Sequence, residues 1–523
     1  MDHHRVSRPA CPSFASINPA FTASRYAAPM SQLLAAPLRP DPTMDALRAQ
    51  SLFEAGDHRG AIRAADAVLR ADPDDLVARM TRAAALNALC RFSEAASDLA
   101  VVVAARPGRA GLLIGLGTAQ AEAGNARDAI ATLTAAIAAD PASADAAAAL
   151  GAVCARTGNT AAAITACRYA LSLDPGQIAA HQNLAALLPP DDPATLRHRD
   201  AAYRLRPIIT IPGPPAAPTI LVMTCAAAAN IPLDHLLPRR HATQIRWFID
   251  YAAPNQIPPP HDFILNAIGD PDLMPPLAPS VRHLLDTTDR PVLNHPDRIG
   301  LTGRANLPAL LAGIPDIVVP PVSRVARKAE GEDGHREGGW RRGHRLPVIV
   351  RPAGSHGGTD LVLAETEPAA DRAIGRAPYS YVTDFIDYRS PADWFYRKYR
   401  AIFVDRIAYP YHLAIAPHWL VHYWTAGMEH DAARRAEEAA FLSDPAGALG
   451  SRAMACLGEI AARLDLDYGG IDFSILPDGR LLVFEVNATM LVHPETDPLF
   501  AYKNPAVAAI QSAVARMLDR FRA

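Results

Sequence analysis

Residues 468–490 read Tyr-Gly-Gly-Ile-Asp-Phe-Ser-Ile-Leu-Pro-Asp-Gly-Arg-Leu-Leu-Val-Phe-Glu-Val-Asn-Ala-Thr-Met. Two apolar runs with period-two alternation flank the turn sequence Pro-Asp-Gly, which predicts a β-hairpin with a short loop. If Leu476 pairs with Leu481, the antiparallel register sets two carboxylates opposite each other on one face. These carboxylates belong to Asp472 and Glu485.

The facing carboxylates need a compensating positive charge, because like charges directly opposite each other destabilise a strand pair. The same register places Asn487 opposite Gly470, so three oxygen ligands share one face. Such ligands suit a hard cation such as Mg²⁺, which also holds substrate phosphates. The stretch therefore predicts a metal site at Asp472, Glu485 and Asn487. The alternative is an exposed hairpin face with two solvated acids.

Composition limits the class of protein. A chain of 523 residues allows about three domains. The balance of 51 basic and 54 acidic residues, with a net charge of -3, offers no general electrostatic case for binding nucleic acid or a membrane surface. No apolar run is long enough to span a bilayer. Six cysteines without paired spacing indicate reduced, mostly buried thiols in a cytoplasmic protein.

The segment 44–207 is alanine-rich and repeats every 34 residues, whereas residues 1–43 have no period and are expected to be disordered. The residues that keep the phase are Pro73, Pro107, Pro141 and Pro175, then Ala61, Ala95, Ala129 and Ala163, then Gly56, Gly124 and Gly158, with Cys90 in the missing glycine position. Small residues allow close helix packing, glycine marks the turn within a helix pair, and proline ends the second helix. The pattern resembles the tetratricopeptide repeat, whose period is 34 residues. It predicts an all-α solenoid of four regular repeats and a fifth, less regular one from residue 178.

By this resemblance, the concave face of the solenoid binds a peptide or another protein. The face is dominated by alanine and has few aromatic or arginine anchors of the kind that form binding hot spots. Partner binding and structural support of the second half of the chain are therefore equal alternatives for the repeats.

The composition changes after the repeats. Residues 208–218 are rich in proline, which cannot continue a helix, and predict a stiff linker. Short strands alternate with helical segments over 219–292, which predicts a small α/β domain with a parallel sheet. The predicted strands lie at 219–224, 243–249, 262–268 and 291–294, and a predicted helix lies at 278–285.

A strand that ends near Arg351 leads directly into a glycine-rich loop, residues 354–358. The cation would neutralise phosphate charge, and the glycines would let backbone N–H groups approach a nucleotide closely. The alternative for this segment is a surface hairpin with a salt-bridged arginine. Two short strands follow at 381–386 and 399–404, the second with Arg400 at its entrance, and the acidic hairpin comes last.

In this order, the elements of residues 293–523 resemble the ATP-grasp superfamily and, within it, the RimK-like glutamate ligases. The resemblance implies an α+β ATP-grasp fold, preceded at 219–292 by an α/β pre-ATP-grasp subdomain. It also implies that the protein binds ATP and two Mg²⁺ ions.

The resemblance assigns roles to individual residues. Arg304 and Arg351 stand where the family has two phosphate-binding lysines. At both positions, the planar guanidinium of arginine therefore replaces the compact ammonium group of lysine. Arg400 corresponds to an arginine that contacts the transferring phosphate, which makes Arg351 and Arg400 the catalytic candidates. The implied nucleotide-binding set is Arg304, Arg351, Gly354, Ser355, His356, Gly357 and Gly358, with the adenine hinge at Thr383, Asp384, Phe385 and Ile386; the implied metal set is Asp472, Glu485 and Asn487.

The implied activity is an ATP- and Mg-dependent carboxylate–amine ligase that works through an acyl-phosphate. The carboxylate and the amine are unspecified, and a peptide or protein substrate is one option. The alternatives are a non-catalytic repeat scaffold with a nucleotide-binding or degenerate ATP-grasp domain, and a kinase-like use of the fold. The aromatic segment 418–430 is the candidate substrate contact, unless it only packs beneath the glycine loop. His493 and Glu495 could also meet the acceptor.

Overall fold

The computed structural model describes residues 44–521 except for 190–191, 205, 216, 227–229, 234, 239–240, 254–255, 328–339 and 356–359. The segment 1–43, which we expected to be disordered, therefore lies outside the described residues. So do three residues of the predicted glycine loop, His356, Gly357 and Gly358. Within the described part, only helices form up to residue 203, and a mixed α/β region with three sheets follows.

The repeats form helix pairs, and each turn inside a regular pair is made by a residue with positive φ. Gly56, Gly124 and Gly158 have φ values of 81°, 89° and 77°, and Cys90 adopts the same left-handed conformation at 58°. A left-handed backbone favours glycine, so Cys90 stands where a side chain is normally disfavoured. The helices are α1 Met44–Glu54, α2 His58–Ala71, α3 Leu76–Ala88, α4 Phe92–Ala105, α5 Ala110–Glu122, α6 Ala126–Ala139, α7 Ala144–Arg156, α8 Thr160–Leu173, α9 Ile178–Leu187 and α10 Pro193–Tyr203.

The first sheet confirms the predicted parallel pairing over 219–292. Its order is β1-β3-β2-β4-β5, and β2, β3, β4 and β5 are parallel. The antiparallel edge strand β1 lies inside the segment predicted as a linker. That segment is therefore not a linker throughout, because its β-branched start, Ile-Ile-Thr-Ile, pairs with β3 before the prolines begin. The strands are β1 Ile208–Ile211, β2 Thr219–Thr224, β3 Thr243–Phe248, β4 Phe263–Asn266 and β5 Val292–Leu293, and helix α11 Met274–Asp286 includes the predicted helix.

Two further sheets form beyond residue 316. The second is antiparallel, with the order β7-β10-β8-β9. The third has the order β12-β11-β13-β14-β6 and is antiparallel except for the β14–β6 pair. The remaining elements are β6 Ile317–Val318, β7 Val322–Ala326, β8 Val348–Pro352, β9 Val362–Ala364, β10 Tyr379–Asp384, β11 Tyr396–Val404, β12 Ile407–Ala416, β13 Tyr468–Ile475 and β14 Leu481–Asn487, and the helices α12 Pro296–Leu301, α13 Leu307–Leu310, α14 Glu367–Ile374, α15 Ala432–Ser443, α16 Pro445–Leu464 and α17 Asn504–Asp519.

The predicted hairpin forms as β13 and β14, but its pairing next to the turn differs from the expectation. Leu481 pairs with Ile475 instead of Leu476, and the N–H of Leu476 donates to a carbonyl within the turn. A β-bulge directly after Asp472 absorbs this one-residue shift. The end of the hairpin away from the turn consequently keeps the predicted register. This end carries the polar side chains.

The first and third sheets share a hydrophobic core. Trp247 of the first sheet belongs to the same buried cluster as Phe403 and Phe473 of the third. A second cluster joins Phe263 of the first sheet to helix α17 through Val514. The two regions therefore pack as one body, and their division at residue 292 remains a prediction.

None of the helices in the described part combines the length and the apolar character needed to cross a lipid bilayer. The five cysteines among the described residues form no disulfide, and four of them are buried: Cys154, Cys167, Cys225 and Cys456. This agrees with the expectation of mostly buried, reduced thiols.

Two glycines of α5 test whether close helix packing holds the repeats together. A Cβ on Gly117 would lie 2.7 Å from Cγ of the buried Leu133, whereas a Cβ on Gly115 would meet no atom within 4 Å. We expect Gly117→Ala to destabilise the protein by about 1–3 kcal/mol because the site is overpacked. Gly115→Ala should stabilise it by up to about 1 kcal/mol through helix propensity. Urea unfolding followed by circular dichroism measures both changes, and equal effects of the two variants would contradict this packing.

Candidate functional site

A cavity of about 590 Å³ is lined by residues from the last helix pair of the repeats and from all three sheets. Its volume lies in the range of small-molecule sites in proteins. The predicted Arg304, Arg351, Arg400, Asp472 and Glu485 all line it. Asn487 and the hinge residues 383–386 line it as well. The fold therefore brings together the predicted residues of five separate sequence segments.

Asp472 is held by two cations of the neighbouring strand β11. The Arg400 guanidinium donates to both carboxylate oxygens, with Nε–Oδ1 at 2.6 Å and Nη2–Oδ2 at 2.8 Å, and Lys398 Nζ lies 3.2 Å from Oδ2. Burial by itself would raise the pKa of Asp472, but Arg400 and Lys398 outweigh burial and hold this pKa well below its usual range. The carboxylate is therefore charged at neutral pH.

Glu485 lies directly opposite Asp472, as the hairpin register predicted. Its Oε2 accepts from Arg351 Nη1 at 3.1 Å and from Arg304 Nη2 at 3.3 Å, and its side chain is 19% exposed. Burial again opposes ionisation, but Arg351 and Arg304 outweigh it and lower the pKa of Glu485 to about 2. Four cations thus compensate the repulsion between the two facing acids.

The arginines Arg304 and Arg351 retain unused hydrogen-bonding capacity. The Nε atom of each is buried, and neither atom has a hydrogen-bond partner within the described residues. Burial lowers the pKa of Arg351 from its usual value, which reflects the cost of removing this guanidinium from water. Each of these arginines therefore keeps one buried N–H donor that no described acceptor satisfies, which is uncommon in folded proteins.

Asn487 stands opposite Gly470 in the hairpin, as predicted. Its Oδ1 accepts from the backbone N–H of Thr489 at 2.6 Å and from the Thr489 hydroxyl at 2.5 Å, which fixes the orientation of the amide. Among the described residues, no three His, Cys, Asp or Glu side chains come close enough to hold a metal ion. The predicted metal set therefore consists of two carboxylates and one amide.

The predicted hinge combines structural side chains with an apolar wall. The Thr383 hydroxyl donates to the carbonyl of Pro321 at 2.9 Å, and Asp384 lies 2.8 Å from His344 Nδ1. Phe385 makes an edge contact with Trp419, with ring centroids 6.0 Å apart. Any recognition of a base here would consequently use the backbone and the apolar side chains.

The structure does not bring every predicted residue into the cavity. Gly354 and Ser355 are absent from its described lining, and the Ser355 hydroxyl donates to the carbonyl of Pro352 at 2.8 Å. Glu495 is ion-paired with the buried Lys503, and neither Glu495 nor His493 appears in the lining. The segment 418–430 forms turns and short 3₁₀ helices, and its residues 419–422 and Trp424 do line the cavity.

Two polar features were missed in the sequence. Lys398 lies two residues before Arg400 in β11, so both side chains point to the same face of the sheet. The alternation of side chains along this strand could therefore have revealed Lys398 as a second cation of the site. The buried Glu438 accepts from Tyr423, Tyr502 and the N–H of Leu413, and burial raises its pKa. No sequence signal could have revealed this cluster, because its members come together only in the tertiary structure.

Family comparison identifies one part of the chain. Residues 47–110 and 114–178 match the tetratricopeptide repeat. These residues therefore form a tetratricopeptide repeat array, as their period predicted. No curated protein matches the chain.

Solved structures resemble this array. A crystal structure of MamA is 27% identical over 29% of this chain and 91% of its own, with a TM-score of 0.28. MamA from Desulfovibrio magneticus RS-1 is 22% identical over 31% of this chain and 97% of its own, with a TM-score of 0.28. YrrB, a TPR protein described as having an unusual peptide-binding site, is 18% identical over 35% of this chain and 94% of its own, also with a TM-score of 0.28. Each alignment is confined to about a third of the chain.

The lowered pKa of Glu485 makes stability depend on pH. The unfolded carboxyl has a pKa of about 4.3, so protonation below that value favours unfolding. The stabilisation is complete above about pH 5 and is lost as the pH falls toward about 2, the folded pKa. We expect the difference in unfolding free energy between wild type and Glu485→Gln, on the order of 2 kcal/mol at neutral pH, to shrink over this interval.

Urea unfolding at a series of pH values measures that difference. Glu459→Gln is the matched control, because Glu459 is an acid with an arginine partner, Arg463, at the surface. A pH-independent difference between wild type and Glu485→Gln would contradict the proposed ionisation.

Proposed function

We propose that the C-terminal region is an ATP-grasp enzyme, an ATP- and Mg-dependent ligase that joins a carboxylate to an amine through an acyl-phosphate. The observation that carries the proposal is the cluster of four cations and two facing carboxylates in one cavity with an apolar wall. The order of the elements along the chain, from strand and glycine loop to acidic hairpin, supports the same assignment.

The cations suit the phosphates of ATP. Arg304 and Arg351 share one oxygen of Glu485, and both residues line the cavity. Guanidinium groups bind phosphate through paired, charge-assisted hydrogen bonds. The two arginines would therefore hold the triphosphate, while Val319, Ile349, Phe385 and other apolar lining residues would contact the base.

The oxygen donors of the hairpin suit Mg²⁺. Asp472, Glu485 and Asn487 would hold it, because hard divalent cations bind carboxylate and amide oxygens. When bound, Mg²⁺ neutralises phosphate charge and orients the β- and γ-phosphates. Both oxygens of Asp472 are engaged by Arg400, so this arginine would release an oxygen on metal binding and turn toward the phosphate.

The chemistry consists of two substitutions. A carboxylate oxygen of the acceptor attacks the γ-phosphorus, the bond to the β-phosphate oxygen breaks, and ADP leaves. An amine then attacks the acyl carbon, loses a proton and expels inorganic phosphate, which leaves an amide bond. Arg351 and Arg400 offset the charge that develops during phosphoryl transfer. The tetratricopeptide repeats bind a peptide or protein partner in this proposal.

Isothermal titration calorimetry of ATP binding tests the metal site. In Mg²⁺, we expect Glu485→Gln to weaken ATP binding by about tenfold or more, because a metal ligand is lost. In EDTA, the same change should not weaken binding, because it removes a negative charge beside Arg304 and Arg351. A loss of ATP affinity in Mg²⁺ but not in EDTA identifies Glu485 as a metal ligand. A loss in both buffers would instead indicate that Glu485 only holds the arginines in place.

Glu437→Gln is the matched control. Glu437 forms an ion pair at 2.6 Å with Arg397, which lies on β11 like Arg400, but Glu437 does not line the cavity. This control should bind ATP like the wild type in both buffers. The absence of ATP binding to the folded wild-type protein would reject the enzyme and leave a repeat scaffold.

A further inference from the structure

The last helix pair of the repeats, α9 and α10, lies between the repeat array and the first sheet. Helix α9 packs on the preceding repeat, because its Ala180 and Leu184 share a buried cluster with Cys167 of α8. Helix α10 packs on the first sheet, where Tyr203 stacks on Phe248 with ring centroids 3.9 Å apart. Contacts between α9 and α10 therefore connect the two parts of the protein.

Two half-buried histidines form one of these contacts. Nδ1 of His181 on α9 lies 2.8 Å from Nδ1 of His198 on α10, and Nε2 of His181 lies 2.9 Å from the carbonyl oxygen of Pro175. A carbonyl oxygen only accepts hydrogen bonds, so Nε2 of His181 carries a proton, and Nδ1 of the neutral ring is an acceptor. The Nδ1–H of His198 consequently donates to His181.

This geometry limits the number of protons that the pair can hold. One added proton can bind to Nε2 of His198, or to Nδ1 of His181 with a change of tautomer in His198, and the hydrogen bond survives in both cases. A second proton makes both rings cationic, so that two N–H donors face each other across 2.8 Å. The lost hydrogen bond and the repulsion between like charges both oppose this state. The doubly protonated pair is therefore incompatible with the observed contact.

The surroundings of His198 also disfavour its cationic form. Burial, His181 and the arginines Arg197 of α10 and Arg168 of α8 lower the pKa of His198 from its usual value, against the opposing effect of Asp192. An unfolded histidine has a pKa of about 6.5. A histidine whose pKa is lowered in the folded protein loses its contribution to stability as the pH falls below the unfolded value. Acid therefore favours separation of the two rings.

We propose that the His181–His198 pair is a pH-sensitive contact that holds α9 against α10 at neutral pH and releases it in acid. Separated histidines bind two protons below a pH of about 6.5, whereas the paired histidines bind one at most. Opening of the helix pair consequently becomes about tenfold more favourable for each pH unit below this value, because an additional proton is bound on opening. Gln182 and Arg199 directly follow the two histidines and line the cavity. Acid thus loosens one wall of the cavity, whatever ligand the cavity binds.

Hydrogen–deuterium exchange of the full-length protein, followed by mass spectrometry of peptides from α9 and α10, measures this opening. EDTA in the buffer prevents a metal ion from bridging the two nitrogens. His198→Gln keeps an amide that donates to or accepts from His181 but does not titrate. We expect wild type and His198→Gln to exchange at similar rates at pH 8. At pH 5, wild type should exchange about tenfold faster than the variant.

His430→Gln is the matched control, because the side chain of His430 is 82% exposed and lies outside the helix pair. This variant should exchange like wild type in α9 and α10 at both pH values. The deciding quantity is the change in exchange between pH 8 and pH 5 relative to wild type, so a variant that is looser at both pH values still tests the proposal. An equal change in wild type and His198→Gln would overturn it, and so would a reduced change in His430→Gln.

Discussion

The repulsion between two facing carboxylates is the constraint around which the C-terminal region is built. The hairpin places Asp472 and Glu485 opposite each other inside the protein, where two acids could not both ionise without compensation. The structure supplies that compensation from three places: β11, β8 and the segment after α12. Because these elements belong to different sheets and loops, the ion pairs of the hairpin also connect separate walls of the cavity.

In the proposed function, the same charges would suit a ligand that brings both negative charge and a metal. Arginine and lysine hold the carboxylates in this structure, so an incoming cation and an incoming phosphate would exchange partners with them. Such an exchange keeps every buried charge paired before and after binding, which avoids the large cost of an isolated buried ion. A site built only of acids or only of arginines would not have this property.

Among the described residues, the repeats contact the α/β region through Tyr203, which stacks on Phe248, and through Asp200, which accepts from the Tyr251 hydroxyl. Helix α10 forms part of the cavity wall, and the edge strand β1 prolongs the first sheet directly after the array. The two alternatives for the repeats, partner binding and structural support, are therefore compatible with each other in this protein.

The sequence by itself determined the features that depend on local periodicity, namely the repeat helices and the parallel strands over 219–292. It also predicted that Asp472 faces Glu485, although a β-bulge that no periodicity indicated is needed for this pairing. Each follows from side chains spaced along one continuous segment. Alternation along β11 places Lys398 on the same face as Arg400, but only the tertiary structure decided that both contact Asp472. It alone also decided that β1 pairs within a proline-rich segment and that Arg199 shares a cavity with Glu485. These contacts join distant segments, and their energies come from burial and charge pairing that no local pattern records.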